Sequence, residues 1–391
     1  MKLAIVGLGQ CGGRIADEFA RMQMRSHTLR HIDIIVEAIA VNTDATDLAG
    51  IISIKPDTRH RLLIGAGATH GHGTAKVGQL GAEIMRGEVE GVLDALKRNP
   101  KLPEADAFLV VAATAGGTGS GGAPVLVRAL KEHHADKPVY ALLVLPFEHE
   151  ENSEESTVYN TAVCLKSTNM VADAVILVDN QRFVRKDSSI RANMLKINQA
   201  IVEPFFNLLC AGEEKKPKNI GAKVIDAGDI IQTLDGWTAV GYGKALLPLI
   251  TLPRDDSHDF VRKDLRAEQG LYAMDEALAE LSFACKPSEA HKALYLVSAP
   301  AKEISVDLNQ GLGDYMRKAA PNAVIRGGDY PREKGLMDVT VILSQFGEAD
   351  RIRYFYDKST SLIKEREARE QAKIDRVMLT EEAGKDIPSL L

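Results

Sequence analysis

Two glycine-rich runs carry the residue types from which a phosphate site can be built. The first, Gly7-Leu8-Gly9-Gln10-Cys11-Gly12-Gly13, follows a strand-like Leu3 to Val6 and precedes a helical pattern from Arg14. Glycine lets a backbone turn sharply and approach a phosphate, and the free amides of a helix N-terminus favour its charge. This spacing fits a dinucleotide-binding turn, or a purely structural strand-to-helix turn, about as well as a nucleoside triphosphate site. The second run, Thr114-Ala115-Gly116-Gly117-Thr118-Gly119-Ser120-Gly121-Gly122, is more specific. It lies between the apolar strand Ala107 to Ala112 and a helix entered through Pro124-Val125-Leu126, and its amides can point at successive phosphate oxygens with the hydroxyls of Thr118 and Ser120 beside them. A flexible spacer would lack both the buried strand and the immediate helix. No GxxxxGK[ST] occurs in the chain, which argues against a P-loop NTPase, and a second glycine run is superfluous for an NAD site.

Such loops need strands to hold them. Short β-branched apolar runs at Leu3 to Val6, Ile34 to Val41, Arg61 to Ile64, Ala107 to Ala112, Val139 to Leu145 and Ala174 to Val178 alternate with longer amphipathic segments. That is the pattern of crossover units in a parallel sheet, where ligands bind beyond the carboxyl ends of the strands. A helically spaced apolar stretch from about Ser189 to Ala211 (Ile190, Met194, Ile197, Ile201, Phe205, Leu208) predicts a packed helix between two domains, kinked or split at Pro204. After a charged loop, Glu213 to Asn219, a helical pattern through Asp229 to Leu234 and strands at Ala293 to Ala299, Val324 to Gly327 and Leu336 to Phe346 predict a smaller α+β domain. From Ile363 the run KEREAREQAKIDR predicts a solvated terminal helix or tail.

At 391 residues the chain is longer than one core usually serves, and two domains are expected. A composition of 45% hydrophobic and 26% charged residues is that of an ordinary globular protein. The net charge of -6 gives no electrostatic reason for a nucleic-acid partner. Cys11, Cys164, Cys210 and Cys285 are too scattered for a zinc site or a disulfide scaffold, which fits a reducing cytoplasm. The absence of a secretion-signal pattern and of any apolar run long enough to span a bilayer predicts no direct membrane insertion.

The second glycine run resembles the tubulin signature GGGTG[ST]G, and Gly9-Gln10-Cys11-Gly12 is similar to the first phosphate loop of tubulin. Ala40-Val41-Asn42-Thr43-Asp44-Ala45 resembles the FtsZ segment after the second strand, Gly71-His72-Gly73-Thr74 stands at the place of the loop near the γ-phosphate, and Leu145-Pro146-Phe147-Glu148 resembles the opening of the ribose-side loop. The chain is thereby identified as a member of the tubulin/FtsZ superfamily, over nearly its whole length to about Tyr356. The resemblance implies a Rossmann-like α/β GTPase domain with a parallel sheet over 1–188, a central interdomain helix and loop over 189–222, an α+β activation and assembly domain over 223–360 and a charged tail over 361–391.

It further implies nucleotide contacts from Gly9, Gln10, Cys11, Gly12, Asn42, Asp44, Gly71, Gly73, Thr74, Gly116, Gly117, Thr118, Gly119, Ser120 and Gly121, with Glu150 on the ribose side and Asn180 and Asn198 on guanine. An asparagine amide both donates and accepts, as the guanine edge requires. In this family the hydrolytic site is shared between subunits, which assigns Asp226 and Asp229 of Val224-Ile225-Asp226-Ala227-Gly228-Asp229 to the attacking water of the next subunit's GTP, with Mg2+ across the phosphates. Asp before an apolar helical run is also a common N-cap, and the two roles are compatible.

Three features depart from the family pattern. Ala115 replaces the first glycine of the signature, Val224 stands where bacterial FtsZ has asparagine, and the acidic stretch Glu148 to Glu155 lacks the FtsZ arginine. The chain continues only briefly after Tyr356 without a clear adaptor-binding peptide, and with the GQCG loop this looks most like the archaeal CetZ group, associated with cell shape. The expected protein is a cytoplasmic GTPase that polymerises head to tail with copies of itself, its tail open to adaptor proteins. A division-ring protein, a non-hydrolysing relative and an NAD(P)-dependent oxidoreductase are the alternatives.

Overall fold

The computed structural model describes residues 1–183, 190–247, 259–333, 335–347 and 349–385. Its strands are β1 (Leu3–Leu8), β2 (Ile35–Asn42), β3 (Arg61–Leu63), β4 (Ala107–Ala113), β5 (Val139–Leu145), β6 (Ala174–Asp179), β7 (Gly236–Leu246), β8 (Lys292–Ala299), β9 (Val324–Pro331) and β10 (Leu336–Ser344). They form a single sheet in the order β3-β2-β1-β4-β5-β6-β7-β10-β8-β9. Neighbours from β3 to β6 pair in parallel. The two halves predicted as separate domains are joined through the sheet itself, because Ala174, Val175 and Ile176 of β6 pair in parallel with Gly236, Trp237 and Thr238 of β7.

Helices cover both faces, as a buried parallel sheet requires. One face holds α4 (Gly78–Lys97), α5 (Thr118–His133), α7 (Glu155–Asn169), α10 (Asp259–Ala279), α11 (Val306–Ala319) and α12 (Asp350–Gly384); the other holds α1 (Gly9–Arg30), α8 (Ile190–Ala211) and α9 (Ala227–Thr233). Strand residues divide between the two cores by simple alternation: Phe108, Val110 and Ala112 of β4 face the first, Leu109 and Val111 the second. Short helices α2 (Ala45–Ala49), α3 (Ala66–Thr69) and α6 (Glu148–Ser153) lie in the loops beyond the strands.

Three elements refine the sequence expectation. Helix α8 runs through Pro204 without splitting. A proline costs a helix interior about 3 kcal/mol. Phe205, Phe206, Leu208 and Leu209 behind it are all buried to 2% exposure or less, and at roughly 1.5–3 kcal/mol each their burial outweighs that cost. Strand β7 was hidden by its glycines. A Cβ on Gly241 or Gly243 would lie 2.1 Å from Ala277 O and 2.0 Å from Ala273 O, so α10 can seat on the strand only because both are glycine. The tail, finally, is no separate element: α12 begins at Asp350 and passes 361 unbroken, with Arg369 Nη1 3.0 Å from Glu155 Oε1 of α7.

Candidate functional site

Strand register brings the predicted loops to one edge. Leu8 of β1 pairs with Val41 of β2 and with Ala112 of β4, Ala113 with Val144 of β5, and Leu145 with Asp179 of β6. The chain therefore leaves β1, β2, β4, β5 and β6 at the same end of the sheet. The two glycine runs leave adjacent strands and meet. Gly9 takes φ +69°, and a Cβ there would come within 3.4 Å of Gly119 N; one on Gly12 would stand 2.1 Å from Val111 O. Helix α1 can begin this close to β4 only with glycine at Gly12.

Neither α1 nor α5 has a side-chain cap, and neither has an acidic residue in its first turn. The first amides of each helix are unsatisfied by the helix itself and carry the positive end of its dipole. Two such ends side by side, with open space around Gly116, form a cradle for a polyanion. Thr118 Oγ1 lies 2.6 Å from Thr43 Oγ1. The hydroxyl of Ser120 donates back to Gly116 O, so Ser120 offers the cradle its amide and not the hydroxyl expected from sequence.

The third side of the cradle comes from the loops after β2 and β3. Asn42 accepts from Thr43 N at 2.8 Å and donates to Asp47 Oδ2 at 3.1 Å, while Gln10 Nε2 donates to Asp47 Oδ1 at 2.6 Å. Asp44 caps α2, accepting from Thr46 N and Asp47 N at 2.8 and 3.0 Å. Gly71 O accepts from Ala45 N and Gly73 N donates to Thr43 O, which ties this loop to the end of β2. Thr74 follows, buried, its hydroxyl 2.1 Å from where a Cβ on Gly117 would stand.

Beyond β6, Asn180 is 7% exposed, and Asn198 of α8 is 6% exposed; neither side chain has a hydrogen-bond partner among the described residues. An asparagine amide with no protein partner offers both a donor and an acceptor, the pair of groups that a purine edge binds. Phe19 of α1 packs edge-on against Phe205 of α8, and Arg30 donates to Cys210 further along, so the two helices run in the same direction. Asn198, N-terminal to Phe205, is thus on the side of the first glycine run. Glu150 Oε2 accepts from Phe147 N at 2.9 Å and caps α6. Burial pushes the Cys11 thiol up to about 12, with Arg14 opposing and Glu150 reinforcing the shift, which puts Glu150 beside the first glycine run.

Asp226 and Asp229 lie elsewhere. Asp226 caps α9, accepting from Asp229 N at 2.9 Å, and Asp229 accepts from Asp226 N at 3.4 Å and stands 3.3 Å from Arg326 Nε. Their turn abuts Gly212 at the C-terminal end of α8, where an added Cβ would lie 3.0 Å from Asp226 Cα. At 1.5 Å per residue, the helix separates Asn198 from that end by about 20 Å. Within one subunit, the acids and the cradle are at opposite ends.

Residues 2–186 match the Tubulin/FtsZ family, GTPase domain, and residues 187–361 match the Tubulin-like CetZ, C-terminal domain. The tubulin-like protein CetZ1 of Haloferax volcanii is 32% identical over 348 residues, covering 85% of this chain and 84% of that one. The chain belongs to the tubulin-like CetZ family. It carries both the GTPase domain and the CetZ carboxyl-terminal domain, and is a cytoskeletal GTPase of the filament-forming kind. Among solved CetZ structures, the GDP-bound CetZ1 monomer of H. volcanii superposes with a TM-score of 0.78 at 27% identity, covering 93% of this chain and 99% of that one. The GTPγS-bound CetZ2 protofilament also gives 0.78, at 28% identity over 94% and 100%.

Several residues that hold this CetZ site together carry no motif. Asp47 grips Gln10 and Asn42; Asn160 of α7 donates to Lys76 O at 2.8 Å and to Ala115 O at 3.2 Å. Buried Asp329 accepts from Ala222 N and Lys223 N at 3.0 and 2.7 Å and so fixes the strand of chain leading to Asp226. Arg351 of α12 donates to Asp179 Oδ2 at 2.9 Å and to Glu151, bonding the carboxyl-terminal half to the ends of β5 and β6. All but the Asn42–Asp47 bond pair residues far apart in sequence, so nothing local announces them.

Proposed function

We propose that GTP binds with its phosphates over the amides of Gly9 to Gly12 and Gly116 to Ser120, its guanine against Asn180 and Asn198, its ribose near Glu150, and its third phosphate facing Gly71 to Thr74; the amide of Gly121, expected from sequence to join them, donates instead to Gly117 O at 3.1 Å. Asn42, Asp44 and Thr118 shape the cradle. Mg2+ bound with the phosphates would neutralise their developing charge. Asp226 and Asp229 position the attacking water on the GTP of the adjoining subunit, a role that needs only a carboxylate in hydrogen-bond reach of that water.

The observation carrying this reading is the length of α8 between the cradle and the acids. No subunit brings Asp229 to its own nucleotide, whereas head-to-tail stacking brings it to a neighbour's. Hydrolysis then follows assembly. We assign the filament to cell-shape control in the cytoplasm, with the exposed outer part of α12 available to adaptor proteins; no described helix is long and apolar enough to cross a membrane.

Mixing two inactive variants tests it. Asp229→Ala should bind GTP and turn it over slowly. Gly119→Val should not bind, because a Cβ there already meets Ala113 O at 3.0 Å and Leu8 O at 3.2 Å. A mixture should regain turnover as Gly119→Val subunits supply Asp229 to neighbours loaded with GTP. A mixture no faster than the sum of its parts contradicts the shared site.

A further inference from the structure

The turn between Thr74 and α4 has a backbone that its side chains disfavour. Ala75 and Lys76 are consecutive non-glycine residues with φ of +47° and +59°, following Gly71 and Gly73 at +77°. The left-handed region is unfavourable for an L-residue with a Cβ, and two in succession persist only where the surroundings impose them. The Lys76–Glu154 ion pair, at 2.9 Å, has both side chains more than 40% exposed and is too well solvated to impose much.

Asn160 is the group placed to impose it. It is 6% exposed, on the second turn of α7, and its Nδ2 donates to Lys76 O at 2.8 Å and to Ala115 O at 3.2 Å. One amide thus joins the strained turn to the second glycine run. The space around it is filled: a Cβ on Gly78 would lie 2.9 Å from Asn160 Oδ1 and 3.1 Å from Ser120 Oγ, and Thr74 is pressed against Gly117. The two loops can only move together while this amide bridges them.

We infer that Asn160 is a positioning residue for the third phosphate: by pinning Lys76 O and Ala115 O together it holds the left-handed turn closed on the second glycine run, and so sets the preference of the site for triphosphate over diphosphate. This rests on the reading that Gly71 to Thr74 face the third phosphate. Asn160 itself touches no nucleotide in this arrangement. Its effect passes through the backbone of residues 74–77.

The test is the ratio of GTPγS to GDP affinity, measured by displacement of a fluorescent guanine nucleotide below the concentration at which filaments form. Asn160→Ala, and Asn160→Ser as a milder variant, should weaken GTPγS about tenfold while GDP changes by no more than about threefold, the size expected for lost buried hydrogen bonds. Adding Ala75→Gly should restore most of the ratio, because glycine adopts the left-handed backbone without Asn160. A structural role would weaken both nucleotides alike and gain nothing from Ala75→Gly; either result overturns the inference. Thr74→Ala reports on the underlying reading. If it leaves the ratio unchanged, the loop does not face the third phosphate; if it lowers the ratio while Asn160→Ala does not, only the role of Asn160 falls.

Discussion

The hydroxyls of Thr43 and Thr118 lie 2.6 Å apart, both buried, and join the end of β2 to the first turn of α5. Only one of the two can donate in this bond, so removing either leaves the other buried without its partner. Thr43→Val or Thr118→Val should cost about 1–3 kcal/mol in urea unfolding. Replacing both removes the pair together and should restore much of the stability, but not the affinity for GTP, because the helix N-terminus loses its hold on the loop. A double variant that loses the sum of the two single losses would show that the pair is not coupled.

The glycines of the second run differ sharply in what they tolerate. Nothing lies within 4 Å of a Cβ on Gly116, whereas one on Gly117 would lie 2.1 Å from Thr74 Oγ1 and 2.9 Å from Val77 N. Gly116→Ala should leave the melting temperature near wild type and weaken GTP binding modestly. Gly117→Ala should displace the Thr74 turn and cost more in binding than Gly116→Ala does. Isothermal titration of both variants checks this ordering.

A partly exposed guanidinium shared by two buried carboxylates joins the halves of the chain. The side chains of Arg351, Glu151 and Asp179 are 17%, 2% and 7% exposed. Removing one partner from such a group strands the rest, so Arg351→Met should lower stability by about 3–5 kcal/mol in denaturant titration. Asp179 precedes Asn180 directly, so guanine binding should weaken too. A loss below about 1 kcal/mol would place the group in the class of solvated surface pairs.

Much of the nucleotide-binding half was legible because its signals are local. A glycine run between a strand and a helix, such as Gly7 to Gly13 or Thr114 to Gly122, is written in consecutive residues. The end-on alignment of those loops then follows from parallel pairing. The grip of Asp47 on Gln10, of Asn160 on Lys76 and of Arg351 on Asp179 depends on pairs 37, 84 and 172 positions apart, which no window of sequence displays. Strand β7 was missed for a related reason: Gly241 and Gly243 lower strand propensity locally, and their cause, the close seat of α10, lies in a distant segment. Asp226 was legible as a helix cap from the residues alone, while its distance from the cradle became visible only along α8.

The cysteines should be inert near neutral pH. Burial pushes the thiol of Cys164 up to about 12 and raises that of Cys210; the thiols of Cys11 and Cys285 are pushed the same way, to about 12, although these two side chains keep part of their surface exposed. The thiolate is the reactive form, so alkylation of the native chain at pH 8 should be slow and should accelerate on unfolding. Because these folded-state values are raised, their contribution to stability is complete below the unfolded value near 9 and is lost as pH rises from there towards 12. Rapid alkylation of Cys11 in the native protein would show the first glycine run to be open to solvent.

The measurement closest to the central claim is GTP turnover per subunit across a range of protein concentrations, with light scattering followed in parallel, for wild type and Asp229→Ala. A site completed by a neighbour predicts that turnover per subunit rises with concentration as scattering appears, and that Asp229→Ala binds GTP but stays slow throughout. Turnover per subunit that is independent of concentration, or an Asp229→Ala chain as fast as wild type, contradicts it.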